Sequence, residues 1–226
     1  AVAIRTAAAR YSGEVGAAMP REPAPSATPS RVTTRASGWA AKNQAGGEAD
    51  FAVVSTGTWI VALADRVPVG NLDESRNMTC NSDVFGAPLG GALTMGGREF
   101  GHVAGEQPKG AIADAAVVAG LVARGTMALP AFGADGGQFP GSAGAGRIAG
   151  PPTETAPERL ALAVLYMALL TVTCADALGH KRRVILDGSY LRDPLYAALV
   201  AAMRPDAETM VSLESSDIAS GAASRR

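Results

Sequence analysis

Cysteine and histidine are scarce in this chain of 226 residues, which contains two of each. Cys80 and Cys174 are far apart and form no Cys-x-x-Cys pair, and the histidines are single residues, His102 and His180. Structural zinc and iron–sulfur sites need about four such ligands at close spacing, so the sequence excludes both kinds of site. The same scarcity excludes a scaffold held together by disulfides.

An excess of charge of one sign is also missing. The chain has 20 basic and 21 acidic residues, a formal net charge of -1, and a pI near 6.2. A nucleic-acid-binding face normally appears as a clustered basic surplus, so we expect no nucleic-acid partner. The longest apolar run, Leu160–Ala175, is shorter than the roughly 20 residues that cross a bilayer. We therefore expect no membrane span and a cytoplasmic protein.

Aromatic residues make up only 5% of the chain, whereas hydrophobic residues of all kinds make up 47%. Val, Leu and Ala must therefore supply most of the core. The length suits one large domain or two small ones.

Residues 1–48 differ in character from the rest. Four prolines fall within a stretch rich in Ser, Thr and Arg, and the apolar residues follow neither the period of a strand nor that of a helix. Such a composition cannot bury enough apolar surface to offset its ordering entropy. An excess of Arg over acidic residues also fits a transit peptide, although the prolines disfavour its amphipathic helix. We expect residues 1–48 to be irregular or disordered and residues 49–226 to form the folded domain.

The order of predicted elements is typical of an α/β domain. A Gly-containing break between two β-rich runs predicts a hairpin near residue 57, and residues 132–154 are too rich in Gly and Pro for regular structure. A threonine, Thr153 or Thr155, is expected to cap the long helix. The predicted strands are Phe51–Val54, Trp59–Ala64, a short one near Asn81–Phe85, Leu93–Met95 and Arg183–Asp187, and the predicted helices are Ala111–Arg124, Pro157–Leu178 and Pro194–Met203.

The hairpin break Ser55–Thr58 is the first candidate site. A turn that contains Gly57 can present successive backbone N–H groups, and two threonine hydroxyls add donors, so together they could hold phosphate oxygens without a lysine. An ordinary hairpin turn is the alternative.

The second candidate is the Asp187-Gly188-Ser189 segment, where a predicted strand passes into a helix. This geometry places backbone N–H groups and a glycine without a side chain beside a possible ligand. A simple strand-to-helix loop is the alternative. Arg192 and Asp193 could contact a ligand or cap the following helix.

The remaining motifs are weaker evidence for a functional site. Residues 144–150 have only a superficial likeness to a dinucleotide fingerprint, since they follow no strand and run into two prolines, and are read as a loop. Arg98 and Glu99 could form part of a substrate face, but a surface ion pair is the commoner outcome. Tyr166, Met167 and Cys174 lie in the long apolar helix and are expected in the core.

Four blocks in register resemble the C-terminal domain of the FGGY carbohydrate kinases, in particular the rhamnulokinase/fuculokinase-like branch. The resemblance extends over about Phe51 to Met203. It implies the ribonuclease H-like fold shared by sugar kinases, actin and Hsp70. The blocks are FAVVSTGTWIVALA, NSDVFGAPLGGALTMGGREF, GQFPG and VILDGSYLRDPLYAALVAAM.

The resemblance also implies a set of nucleotide-binding residues. The hairpin turn of the family contacts the phosphates of ATP, which carries over to Thr56, Gly57 and Thr58. A later strand-to-helix turn packs on the adenosine, which carries over to Gly188, Ser189 and Asp193, although many members have Asn where this chain has Asp193. ATP and Mg²⁺ are the implied cofactors, and a ketose or deoxyketose sugar is the implied acceptor.

The chain departs from the family in three places. The family's first domain is missing, and the tail after Met210 stops before an expected final helix. The catalytic Asp of the family lies some 20–30 residues before the turn, a window that here holds no acidic residue before Glu48 and Asp50.

We therefore predict no catalytic residue and no metal ligand in this chain. The expected protein is the ATP-binding half of a sugar kinase, inactive alone, from a truncated or frameshifted gene. A genuine half of a split kinase, completed by a separate N-terminal kinase domain, is one alternative. A non-catalytic interaction or nucleotide-sensing module is the other.

Overall fold

A seven-stranded mixed sheet organises the computed structural model, which describes residues 30–32, 50–82, 88–179 and 181–212. The strands lie in the order β1-β9-β8-β2-β3-β5-β4. Strands β2, β3, β5 and β4 pair antiparallel, whereas β2, β8, β9 and β1 pair parallel. The strands of this sheet are β1 (Ser30–Val32), β2 (Phe51–Thr56), β3 (Trp59–Asp65), β4 (Met78–Ser82), β5 (Pro88–Met95), β8 (Arg183–Gly188) and β9 (Glu208–Ser212).

Strand β1 lies inside the stretch that the sequence predicts to be irregular. Its three residues pair in parallel with β9, Ser30 opposite Met210, at the edge of the sheet. The boundary of the folded domain near residue 49 stays a prediction.

Four α-helices, three short 3₁₀ helices and a small second sheet complete the described part. The α-helices are α1 (Gly97–Ala104), α2 (Ala115–Ala123), α3 (Ala156–Ala177) and α4 (Pro194–Met203), and the second sheet pairs β6 (Met127–Leu129) with β7 (Arg147–Ala149). One face of the large sheet and the helices enclose the main core, in which α3 contacts α1, α2, α4 and strands β2, β3 and β5.

Helix α3 is long and apolar enough to cross a membrane, but 83% of its most apolar window is buried inside the fold. A helix that is apolar on every side needs such burial, and α3 is therefore the central core helix. It has 22 residues and confirms the predicted helix Pro157–Leu178, shifted by one residue. Thr155 and Glu158 form a reciprocal capping box at its start, so the predicted cap is confirmed.

The structure confirms the hairpin, β8 and α4, and α2 is a shorter version of Ala111–Arg124. The short strand predicted at Asn81–Phe85 is wrong in position, since β4 is Met78–Ser82 and residues 83–87 lie outside the described residues. Residues 144–150 are not simply a loop, because β7 lies within them. The sequence reading missed α1, β6, β7 and β9.

Candidate functional site

Three segments meet at one end of the sheet. Strand β2 runs parallel to β8 with Thr56 opposite Gly188, so the hairpin turn and the strand-to-helix turn lie side by side. The amides of Gly96 and Gly97, at the start of α1, donate to the Thr58 carbonyl at 2.9 and 3.0 Å. The structure thus brings the two predicted turns together and adds a third segment that the sequence reading had not included.

Thr56 ties the two predicted turns together. Its side chain is buried, and its hydroxyl donates to the Asp187 carbonyl at 2.8 Å and accepts from the Tyr190 amide at 3.4 Å. Thr58 is exposed. Of the two hydroxyls in the turn, that of Thr58 therefore faces solvent, whereas that of Thr56 already has protein partners.

Two glycines in the site differ in whether the fold leaves room for a side chain. Gly188 has φ of 101°, and a Cβ there would lie 2.0 Å from the Thr56 carbonyl oxygen, so only glycine fits. At Gly57, a Cβ would meet no atom within 4 Å, and φ lies outside the left-handed region. The fold therefore requires glycine at 188 but not at 57.

Tyr190 contacts both the hairpin turn and helix α1. Its hydroxyl donates to the Gly57 carbonyl at 3.1 Å, and its ring stacks on Phe100 with centroids 5.9 Å apart. Burial raises the pKa of Tyr190 above its ordinary value, and the negative charge of Glu99 raises it further. The phenol stays protonated at neutral pH and keeps its role as donor.

Glu99 is not the surface residue that the sequence predicted. It is 1% exposed, and its carboxylate accepts from the Phe132 amide at 3.0 Å, the Gly133 amide at 2.6 Å and the Tyr166 hydroxyl at 2.6 Å. The surface expectation was wrong because α1 was not recognised, and only a helix turns this side chain inward. Glu99 joins α1, and through it the hairpin turn, to the loop at residues 131–139.

The Asp193 carboxylate caps helix α4 and also binds the backbone of the loop before α2. One carboxylate oxygen accepts from the Leu195 amide at 3.0 Å and caps α4, and the other accepts from the Ala113 amide at 2.7 Å. Ser189 is exposed, and its hydroxyl lies 3.4 Å from the Thr56 carbonyl oxygen. Of the two possibilities that the sequence left for Asp193, the structure shows the capping one.

A cavity of about 330 Å³ opens beside these turns. Its wall contains side chains from α1, α3 and α4 and the loop at residues 110–112, and Ser189, Tyr190, Arg192 and Asp193 complete it. A second cavity, of about 630 Å³, lies beside Trp59 against strands β3, β4 and β5. None of the six predicted residues lines the second cavity, so the first one is the extension of the candidate site.

Among the described residues, no group of three or more His, Cys, Asp or Glu side chains that could hold a metal ion is found.

The model of the FGGY carbohydrate kinase C-terminal domain matches residues 48–225 of this chain of 226 residues. This chain belongs to the FGGY carbohydrate kinase family. The resemblance drawn from the four sequence blocks is thereby confirmed, and the family's reaction is phosphoryl transfer to a carbohydrate. No curated protein sequence matches the chain.

Solved structures of three kinases that act on carbohydrates or gluconate share the fold. A carbohydrate kinase from Novosphingobium aromaticivorans is 30% identical with a TM-score of 0.66 over 76% of this chain and 39% of that one. A xylulose kinase and a gluconate kinase from Lactobacillus acidophilus, each 17% identical over 68% of this chain and 33% of theirs, give TM-scores of 0.51 and 0.50. The last two support the fold alone.

These matches confirm the ribonuclease H-like fold of this FGGY domain. The antiparallel β2-β3-β5 meander, extended by the parallel β8 and β9, is the strand arrangement of the sheet. The chain spans about two fifths or less of the solved kinases that it matches.

Proposed function

We propose that this chain is the nucleotide-binding half of a cytoplasmic kinase that transfers the γ-phosphate of ATP to a hydroxyl of a ketose or deoxyketose. Thr56, Gly57 and Thr58 would hold the phosphates, and Gly188, Ser189 and Asp193 would form the adenosine side. A separate N-terminal kinase domain would supply the sugar pocket and the catalytic base, and Mg²⁺ would accompany the nucleotide.

One observation carries the proposal, namely the glycine at the tip of the turn. The fold leaves open space at Gly57 and does not demand its backbone conformation. A residue without a side chain at such a position is explained by the close approach of a ligand to the backbone. The exposed hydroxyl of Thr58 lies next to it, and the 330 Å³ cavity begins at Ser189 and Tyr190, beside the same turn.

The test is calorimetric titration of the whole chain with ATP, comparing wild type with Gly57→Val. We expect the variant to fold normally and to lose ATP binding, because the new side chain occupies the approach of the phosphates. Gly70→Val is the matched control, since a Cβ at Gly70 also meets nothing within 4 Å and Gly70 lies outside both cavities. If Gly57→Val binds ATP as well as wild type does, the turn is an ordinary turn.

A nucleotide-sensing module without transfer activity is the second candidate. Among the six predicted residues the one carboxylate belongs to Asp193, and both of its oxygens are occupied by backbone amides. This observation favours binding over chemistry within the chain itself. Sugar-dependent turnover after addition of a separate N-terminal kinase domain would decide between the two functions.

A further inference from the structure

The 330 Å³ cavity is mainly apolar. Its size falls within the range of small-molecule pockets, roughly 300–1,000 Å³. Phe100 and Ile112 line it together with residues of the core helix α3, and so do Tyr190 and Tyr196, whose ring centroids are 5.7 Å apart. The α3 residues in the wall are Leu160, Val164 and Met167.

Most polar side chains of this wall already have protein partners. The Tyr190 hydroxyl donates to the Gly57 carbonyl, and the Tyr196 hydroxyl lies 2.6 Å from that of Thr171. Ser189 is bonded to the Thr56 carbonyl. Among the residues that line the cavity there is neither Asn nor Gln, the side chains whose amide can donate to and accept from an adenine edge together.

Asp193 is part of the cavity wall, but both of its carboxylate oxygens already accept hydrogen bonds from backbone amides of the protein. Its bond to the Ala113 amide holds residues 110–113 against the start of α4. This loop carries Ile112, which is 63% exposed and lies at the lip of the cavity. The position of this exposed apolar side chain follows from the tie to Asp193.

Arg192 is the remaining polar side chain of the wall. It is exposed and has no hydrogen bond or ion pair with the described residues. A guanidinium only donates, and both purines present the N7 acceptor, to which guanine adds O6. Arg192 therefore has no means of preferring adenine to guanine.

We propose that this pocket selects a purine by size and apolar contact and holds no group that favours adenine at position 6, so that guanine nucleotides bind at least about as tightly as adenine nucleotides. The proposal rests on the proposed nucleotide site. An apolar pocket discriminates weakly between bases of equal shape, whereas a site that hydrogen-bonds a group rejects the analogue lacking it by about 10⁴–10⁵.

The test is calorimetric titration of the whole chain with ADP, GDP and CDP at one salt concentration. We expect the Kd of GDP to be at most about fivefold above that of ADP, and CDP to bind at least about fivefold more weakly than ADP because its smaller ring buries less apolar area. An ADP preference over GDP of more than about fivefold overturns this proposal alone. Absence of binding by all three overturns the proposed nucleotide site as well.

Two isoleucines provide a matched pair of variants. Ile112→Ala should weaken ADP and GDP by the same factor, about three- to tenfold, because it removes the apolar lip. Ile148→Ala alters another exposed isoleucine, in β7 and outside the cavity, and should change neither. Arg192→Ala should not shift the preference toward GDP, because the lost donors serve guanine at least as well as adenine, and a shift toward GDP of more than about threefold overturns the proposal.

Discussion

At the scale of single residues, the site contains glycines with opposite roles. Gly188 is needed because the chain turns there with positive φ directly against the Thr56 carbonyl, whereas Gly57 leaves open space. A side chain at 188 must strain the backbone and push apart β2 and β8. A side chain at 57 touches nothing in the protein.

Gly188→Ala should therefore lower the free energy of unfolding by more than about 2 kcal/mol. Gly57→Ala should change it by less than about 1 kcal/mol. Urea denaturation of both variants, followed by circular dichroism, measures the difference. Equal losses in the two variants would mean that the close contact at Gly188 is not what constrains this position.

Glu99 is the buried charged residue whose partners are best defined. Removing its carboxylate leaves the Phe132 and Gly133 amides and the Tyr166 hydroxyl without their acceptor. Glu99→Ala should cost about 2–4 kcal/mol of stability in the same denaturation experiment, and Glu99→Gln less, because the amide oxygen still accepts. Glu106→Ala, at an exposed position two residues after α1, is the control and should be near neutral. A neutral Glu99→Ala would show that these bonds contribute nothing.

At the scale of elements, local signals were sufficient for α3 and insufficient for α1. Helix α3 carries its start signal in its own sequence, a threonine, a proline and a glutamate within four residues. Helix α1 begins at two glycines without a side-chain cap, and its first amides are satisfied by the Thr58 carbonyl, some 40 residues earlier in the chain. A helix start that depends on a distant acceptor leaves no local pattern, and the burial of Glu99 was missed with it.

The two predicted turns were found because each has a local signature. Their juxtaposition depends on the parallel pairing of β2 with β8, more than 120 residues apart in the chain, which periodicity alone does not specify. The assignment of Asp193 as a cap could be predicted from its place before Pro194, but its second bond, to Ala113, could not. Long-range partners account for most of what the sequence reading missed.

The start of α3 predicts a dependence of stability on pH. Glu158 accepts first from the Glu154 amide and also from Arg124, and these bonds lower its pKa below the ordinary value near 4.5. Since the folded pKa lies below the unfolded one, its contribution is present above about pH 4.5 and is lost as the pH falls through the lowered pKa.

Glu158→Gln should therefore be less stable than wild type at pH 7, and the difference should shrink as the pH falls below about 4.5. Thermal unfolding at a series of pH values measures it. Glu154→Gln keeps the backbone amide that donates to Glu158 and is the control. A difference that is independent of pH would assign the effect to shape rather than to charge.

At the scale of the whole molecule, the described residues form a candidate binding site without an evident base among them. Asp50 lies at the start of β2, roughly 20 Å from the turn at about 3.3 Å per residue, and its carboxylate is 3.6 Å from the Lys181 ammonium. Asp187 is closer, directly before Gly188 in β8, but it is 5% exposed. Neither carboxylate is placed to accept a proton from a sugar in solution.

We therefore expect the purified chain not to phosphorylate a sugar, even with saturating MgATP. Sugar hydroxyls are weak nucleophiles at neutral pH, and the loss of a general base typically reduces the rate by about 10²–10⁴. Without a sugar pocket the positioning contribution is lost as well, up to roughly 7–11 kcal/mol in favourable cases. Together the two losses place turnover below detection, whether or not ATP binds.

The measurement is a coupled assay of ADP release with L-rhamnulose, L-fuculose, L-ribulose and D-xylulose in turn, on the chain alone and after addition of a separately expressed N-terminal FGGY kinase domain. No ADP release by the chain alone, with sugar-dependent release after the N-terminal domain is added, would identify the chain as half of a split kinase. No ADP release in either case, with ATP binding detected by calorimetry, would favour the nucleotide-sensing module. Sugar-dependent release by the chain alone that disappears in Asp187→Asn would contradict the prediction, because the base would then lie in this half, at the end of β8.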